Sequence, residues 1–537
     1  MSRGARLLLL GPYVLLLMVF FTAPLLLMLA ISFSRQSFGQ LEWALTPQHY
    51  IHFFTDAYYL GVLGDTLWLG AITTVASLLL GYPVAYHLAL TRSRWKPFLI
   101  VFILSPLLVG IVIRCYGWMI LLADRGLINA TLTQHGWITK PLPLMYNKFG
   151  VTVALVHVFL PFMVLSLTGV LKRIEPQLIE ASQTLGASPR RAFFEVTLPL
   201  SLPGILAGSL LVFSLAISSF VVPILVGGFK VHVLPMVVYE QVLSVFDWPF
   251  GAANAFVLLV ISVALIAVYI KVTERALRGS CDPARLGGAG LRLPAAPDGR
   301  RGAGRVQRGQ LLHVSPQGFS LKWFANFFQR REFMQALRLS TELAFWTAVA
   351  STVIGTAAAI PLVRGRFRGR DLLNAFVTSP LLLPQILTGV ALLQFYTLLK
   401  MQASYAALLI GHIVVTTPYV IRTVTATLTH FDLALEEAAQ SLGAHPVRAF
   451  FEITLGVIKP GVVAGAIFAF AISFDNFTLS LFLTSAKLTP LPIELFAYLK
   501  YSFDPTAAAV SAFAIGVALV LVLGIARFMG LEEFTGF

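Results

Sequence analysis

Charge is scarce in this sequence. Asp, Glu, Lys and Arg make up only 12% of its 537 residues, about half the share found in a soluble domain (about 25%). With 57% hydrophobic residues and a mean hydropathy of +0.82, no water-facing surface can be assembled, so the chain is read as a membrane protein with lipid as its surroundings. Cysteine is nearly absent. Cys115 lies in an apolar run and Cys281 in an Arg/Gly/Pro stretch, which leaves neither a disulfide framework nor a metal site. There is no Gly-Lys pair, hence no G-x-x-x-x-G-K-[ST] phosphate loop, and no His-Glu-x-x-His. No catalytic constellation is found and no cofactor is expected in the chain itself. Acidic residues are the scarcer sign, 24 against 39 Lys and Arg. In a membrane protein that excess marks the cytoplasmic side, and nucleic acid is set aside as a partner.

What is abundant is apolar length. Runs able to cross a bilayer, which takes about 20 residues, fall at 8–33, 65–90, 97–122, 150–171, 204–227 and 252–270, then at 338–363, 373–399, 404–427, 461–484 and 506–528. The expected fold is therefore all-α and polytopic, with about eleven transmembrane helices, six and then five. Arg3 and Arg6 precede the first run as in a secretory signal, but the run is too long for a signal core and no cleavage site follows, so an uncleaved anchor is expected. Arg92, Arg94 and Lys96, then Lys172, Arg173, Arg190 and Arg191, then Lys271, Arg275 and Arg278 mark one side as cytoplasmic. Arg125, Lys140 and Lys148 are spread along the loop at 123–150 and form no cluster. The N-terminus is expected inside. Arg364, Arg366, Arg368, Arg370, Arg448, Lys459 and Arg527 mark the same side later on, which requires one further crossing between 275 and 337, where no apolar run exists.

The chain repeats itself. Phe53, Gly81 and Ser105-Pro106-Leu107-Leu108 recur 274 positions on as Phe327, Gly355 and Ser379-Pro380-Leu381-Leu382. Pro161, Glu180, Gly186, Pro203, Gly208 and Phe220 recur 257 positions on as Pro418, Glu437, Gly443, Pro460, Gly465 and Phe477. Two parallel copies follow, a first domain at 1–275 and a second at 318–537, the second lacking its first span. Between them, 276–317 is rich in Arg, Gly and Pro, and two readings stay open. It is a flexible linker, or a helix-coding stretch read in a shifted frame, since codons for Arg, Gly, Pro and Ala carry G or C in the middle and a one-base shift can give Val, Ala and Leu.

The strongest similarity between the copies is polar. Residues 180–204 align without gaps to 437–461, with 16 of 25 positions identical, inside loops bounded at 172–203 and 428–460. Glu180 and Ala181 fit a short helix, Gly186 a sharp turn, and Pro189 the first turn of a second helix; Glu437, Ala438 and Gly443 repeat the pattern. Helix, glycine turn and helix make a docking shape, whereas a single copy would read as an amphipathic connector lying on the membrane. These residues resemble the E-A-A-x-x-x-G loop of ATP-binding-cassette importer permeases. Ser182 departs from the motif, and Gly456 stands where the first copy has Pro199, so the local helix geometry is expected to differ between the two loops. The resemblance implies docking onto a separate ATPase homodimer that binds ATP, an extracytoplasmic solute-binding protein as second partner, and a place in the cell inner membrane. A secondary transporter is the rival class, although its repeats are often inverted.

Ionisable residues inside spans are candidates for the solute path. Asp475 with Asn476 lies in the fifth span of the second copy, and their counterparts are Ser218 and Ser219. A carboxylate on the path would favour a cation; the alternative is a packing pair with a neighbouring helix. Arg114 in the third span is read as a gate or a structural residue that, near the outer end, snorkels to water or pairs with an acid. The first copy resembles one spermidine/putrescine-type permease subunit through IRCYGWMILLADRGLINATL and DWPFGAA, and the second its partner subunit through GFSLKWFANFF and SFDNFTLSLFL. That implies a polyamine solute, with thiamine, ferric iron and aminophosphonate importers as alternatives in the same class.

Overall fold

A computed structural model describes residues 3–279 and 321–529, apart from 38–39, 92, 105, 107–108, 366, 382 and 502–504. Long apolar stretches satisfy their backbone polar groups internally by coiling, and the result is helical almost throughout. The first copy comprises α1 (Arg3–Leu17), α2 (Ala23–Ser32), α3 (Gln48–Thr55), α4 (Ala57–Leu90), α5 (Lys96–Leu104), α6 (Ile111–Leu122), α7 (Leu127–Gln134), α8 (Lys148–Leu171), α9 (Pro176–Thr184), α10 (Pro189–Ala192), α11 (Leu198–Ile217), α12 (Leu234–Glu240) and α13 (Trp248–Gly279). The second comprises α14 (Lys322–Gln329), α15 (Arg331–Arg364), α16 (Arg370–Thr378), α17 (Gln385–Leu398), α18 (Tyr405–Thr429), α19 (Leu433–Ser441), α20 (Pro446–Ala449), α21 (Leu455–Phe474), α22 (Phe477–Leu483), α23 (Leu491–Tyr501) and α24 (Thr506–Met529). A small antiparallel hairpin pairs Arg35–Ser37 with Gln40–Glu42.

The repeat read from sequence is kept to the residue. α3 and α4 end where α14 and α15 end after a shift of 274, and α9 to α11 match α19 to α21 after a shift of 257. Asn147 and Ser404, 257 apart, cap α8 and α18 by accepting from the N–H of Gly150 and Ala407, and the residue before each, Tyr146 and Ala403, has positive φ. The change of shift falls where expected, since α7 lies in the longer loop of the first copy and has no counterpart in the turn around Lys400. Each copy is built on three helices held close by small residues. A Cβ at Gly81 or Gly208 would press on Met163 of α8, and one at Gly355 or Gly465 on Val420 of α18.

Eight helices among the described residues are long and apolar enough to span a membrane, from Gly4–Ser32 to Pro446–Phe474. They account for eight of the eleven expected segments. The segment at 97–122 is split instead into α5 and α6, that at 373–399 is a pair bent by 89°, and that at 506–528 coincides with α24. Two boundaries need correction. The fifth span of each copy begins at Pro189 and Pro446 and stops at Ile217 and Phe474, well before the expected ends, because the polar pairs Ser218-Ser219 and Asp475-Asn476 break the helix. The chain then folds back through a bent pair at Pro223–Lys230 and Leu234–Val245, and through α22 and α23 in the second copy.

The first half of the first span packs on the second copy. Leu10, Tyr13, Leu17 and Phe21 pack with Ala358, Leu362, Val377, Val414 and Ile421 of the second copy, and the Tyr13 hydroxyl donates to the Val377 carbonyl at 3.1 Å. Leu80 and Val84, the counterparts of Ile354 and Ala358, are 57% and 36% exposed where Ala358 is fully covered. No described residue supplies the second copy with an equivalent first span. The stretch proposed as linker or frame-shifted helix lies, from residue 280 to 317, outside the described residues.

Candidate coupling and translocation sites

At the polar loops, α9 and α19 each end at a glycine turn. Gly186 has φ +91° and Gly443 +92°, a conformation that costs any residue with a Cβ. Space is not the constraint, because nothing lies within 4 Å of a Cβ at either position. Glu180, Ala181, Gly186, Glu437, Ala438 and Gly443 are all exposed. Leu185 and Leu442, just before the glycines, are 89% and 91% exposed, so each loop presents an apolar tip ringed by polar residues. The second helix of the motif is not a separate projection. α10 runs through a π turn at Phe193–Thr197 into α11, and α20 through one at Phe450–Thr454 into α21, so the loop is an extension of the span. Matching ion pairs, Arg191–Glu195 at 2.9 Å and Arg448–Glu452 at 2.8 Å, brace both turns. The expected difference in geometry at Pro199 and Gly456 does not occur. Pro199 sits near the start of α11, where its missing N–H costs little.

Where the copies meet, residues 257 apart touch each other. Phe220 stacks on Phe477 with ring centroids 6.3 Å apart and planes 15° from parallel. Tyr239 packs on Phe220 at 4.8 Å and its repeat mate Phe496 on Phe477 at 4.9 Å. A residue can meet its own repeat mate only on the axis relating the two copies, so this aromatic row marks the centre of the molecule. Ser218, Ser219, Asp475 and Asn476 immediately precede the two rings. Ser218 donates to the Ser214 carbonyl at 2.7 Å, the Ser219 hydroxyl is buried with no hydrogen bond among the described residues, and Asn476 caps α22 by accepting from the Leu479 N–H at 3.0 Å.

Asp475 reaches across the interface to the start of α6. Its carboxylate accepts from the Ile111 backbone N–H and feels the charge of Arg114, and it lies so close to Gly110 that a Cβ there would collide with it. The two ionisable residues picked out separately in the sequence thus come together, one from each copy. Arg114 does not snorkel. It lies in the first turn of α6 with Nε and Nη1 buried and without hydrogen bonds among the described residues. Its counterpart is Thr388, and that of Asp475 is Ser218, so the two opposite charges face each other on one side of the axis only. A cavity opens beside Asp475, walled by Ile113 of the first copy and by Ile467, Phe468, Leu495 and Val510 of the second. It is an apolar slot with one carboxylate at its edge.

Behind Asp475 lies a residue that the sequence reading missed. His412 of α18 is buried, with Nδ1 2.8 Å from the Ser473 hydroxyl and Nε2 3.1 Å from that of Ser480, so it ties the two sides of the α21–α22 break together. The counterparts Leu155, Ala216 and Pro223 are apolar. That apolar-to-polar change between copies was the available signal.

Comparison with known proteins decides the family. The model of the binding-protein-dependent transport system inner membrane component matches twice, at residues 75–278 and 351–530. The chain belongs to this family. It is a two-copy permease of an ATP-binding-cassette importer, a multi-pass protein of the inner membrane. Among its relatives, the spermidine/putrescine transport system permease protein PotB of Haemophilus influenzae is 34% identical over 259 residues, 48% of this chain and 90% of that protein. The putrescine transport system permease protein PotI of Escherichia coli K12 is 32% identical over 206 residues, 37% of this chain and 73% of that one. A solved bacterial importer of the acidic polysaccharide alginate aligns at 17% identity with a TM-score of 0.42, covering 49% of this chain and 93% of its own. The permease resembles these proteins one half at a time.

Proposed function

We propose that this chain supplies both permease halves of an importer for polyamines, and that solute passes along the axis marked by Phe220 and Phe477. The observation that carries the proposal is Asp475 at the edge of an apolar slot, in a chain similar to permeases named for spermidine and putrescine. A polyamine is a run of methylenes ending in ammonium groups. Its alkyl part matches Ile467, Phe468 and Leu495, and an ammonium matches the carboxylate. In the conformation described, that carboxylate faces the Ile111 N–H and the charge of Arg114. Both lie on the first copy while Asp475 lies on the second, so drawing the copies apart frees the carboxylate for solute.

The force comes from outside the chain. An ATPase homodimer binds ATP and grips the two glycine-turn loops, and a solute-binding protein delivers cargo at the opposite face, as the family's description as binding-protein-dependent suggests. On this reading the loops and the N-terminus lie in the cytoplasm. Lys148, which blurred the charge pattern of the loop at 123–150, is paired with Asp65 at 2.5 Å. The test is uptake in a transport-deficient strain expressing this chain with its ATPase and binding protein, with spermidine, thiamine and ferric ion as competitors. Competition by spermidine alone is expected. Competition by thiamine or iron alone would reassign the solute, and uptake that persists without the ATPase would make the protein a secondary carrier.

A further inference from the structure

The two coupling loops have the same backbone but are joined to the membrane bundle in different ways. In the second copy, Arg364 at the last turn of α15 places Nη1 2.7 Å from the Glu436 carboxylate on α19. The Thr454 hydroxyl, in the π turn leading to α21, donates to the same carboxylate at 2.7 Å, and Arg364 Nη2 donates to that hydroxyl at 3.3 Å. The guanidinium also lies over the Phe431 ring, 5.0 Å from its centroid. Both charged side chains are only 15% exposed, so the pair is screened little by water and salt. One closed network therefore links three elements: the long helix α15, the coupling helix α19 and the root of α21.

In the first copy the equivalent positions are Leu90, Ile179, Thr197 and Ile174. No charge is present at any of them, and the buried Thr197 hydroxyl, with a counterpart that holds Glu436, makes no hydrogen bond among the described residues. The threonine is common to both copies, and its bonding partners occur only in the second. Apolar contacts are non-directional and let a helix slide, whereas charge-assisted hydrogen bonds fix an angle.

We propose that Arg364, Glu436 and Thr454 form a strut that makes the second coupling loop a rigid lever, while the first loop is a compliant joint, so that closure of the ATPase drives the second copy more directly than the first. This rests on the reading of the loops as ATPase docks. Arg364 and Glu436 are positioning residues, since each acts through the helix it holds and neither touches solute or nucleotide.

The test uses the full complex of permease, ATPase and binding protein reconstituted in vesicles, with spermidine as solute, and measures ATP hydrolysed per solute imported. Glu436→Gln keeps the shape and removes the charge. It is expected to leave ATPase attachment within about twofold of wild type while raising the ATP cost per solute several-fold. The exchange R364E/E436R is expected to bring that ratio most of the way back, which a role in folding alone does not predict. Leu90 and Ile179 provide the converse: L90R/I179E builds the strut in the first copy and should lower the ratio or leave it at the wild-type value. The proposal is overturned if Glu436→Gln, at wild-type abundance and with ATPase attached, shows an unchanged ratio, or if the exchange fails to recover it. Loss of the docking reading looks different: the ATPase would not co-purify with the wild-type chain at all.

Discussion

Phe220 and Phe477 are the same residue of the repeat, and they stack on each other with planes 15° from parallel. Both are 2% exposed, so the row they form with Tyr239 and Phe496 fills the axis between the copies. We expect this row to act as a seal, through its volume. An aromatic pair adds only about 0.5–1.5 kcal/mol beyond its area, too little to hold two domains together but enough to keep a ring in place. Phe477→Ala is expected to make vesicles leak small cations without ATP, whereas Phe477→Leu, which keeps most of the bulk, should stay tight. An ion-flux assay on reconstituted protein checks this; equal tightness of both variants would place the seal elsewhere.

Asp475 and Arg114 are opposite charges that face each other across the two copies, which gives a test that separates packing from transport. Removing one of two facing charges held away from water leaves the other uncompensated. Asp475→Asn should therefore lower thermal stability as well as uptake. The double variant R114Q/D475N should recover much of the stability while uptake stays low, because the ammonium still lacks its carboxylate. If uptake returns together with stability, Asp475 is a packing residue and the cation path lies elsewhere.

His412 invites a different comparison. A buried hydroxyl left without a partner costs about 1–3 kcal/mol, whereas replacing all members by apolar groups can be nearly neutral. His412→Leu strands the hydroxyls of Ser473 and Ser480 and should lower the melting temperature of the purified permease. H412L/S473A/S480A, which approaches the first copy's Leu155, Ala216 and Pro223, should recover most of that loss. Uptake is expected to remain reduced in both, since the α21–α22 break that presents Asp475 is no longer tied. Full recovery of uptake in the triple variant would show that the tie has no part in positioning.

What could be read from sequence was what is local or repeated. The two copies and the glycine turns follow from residue identities at fixed shifts, and the structure keeps those shifts to the residue. What could not be read depends on dihedral angles or on distant parts of the chain. Averaging hydropathy over 461–484 cannot see that Asp475 and Asn476 end one helix and begin another, although that polar pair is the sign of the break. The meeting of Arg114 with Asp475, and the crossing of Tyr13 to Val377, join residues more than 350 positions apart and exist only once the copies are packed. The strut from Arg364 to Glu436 was visible in part, as charge present in one copy and absent from the other.

The glycine turns supply the sharpest prediction about coupling. With φ near +90° at Gly186 and Gly443, a Cβ costs about 1–2 kcal/mol, and no neighbouring atom is close enough to add a clash. The strain must then be relieved by bending α9 or α19 away from its seat, which displaces Leu185 or Leu442 by way of the very turn that presents them. Gly443→Ala is expected to weaken ATPase attachment roughly tenfold, since about 1.4 kcal/mol is a factor of ten, and Gly443→Asn less, because Asn enters the left-handed region more readily. Gly186→Ala should act alike, as the two turns share one geometry. Titrating purified ATPase against each variant in nanodiscs measures this directly. An order in which Asn is as harmful as Ala would mean that bulk at the docking surface, and not backbone conformation, is what the glycine avoids.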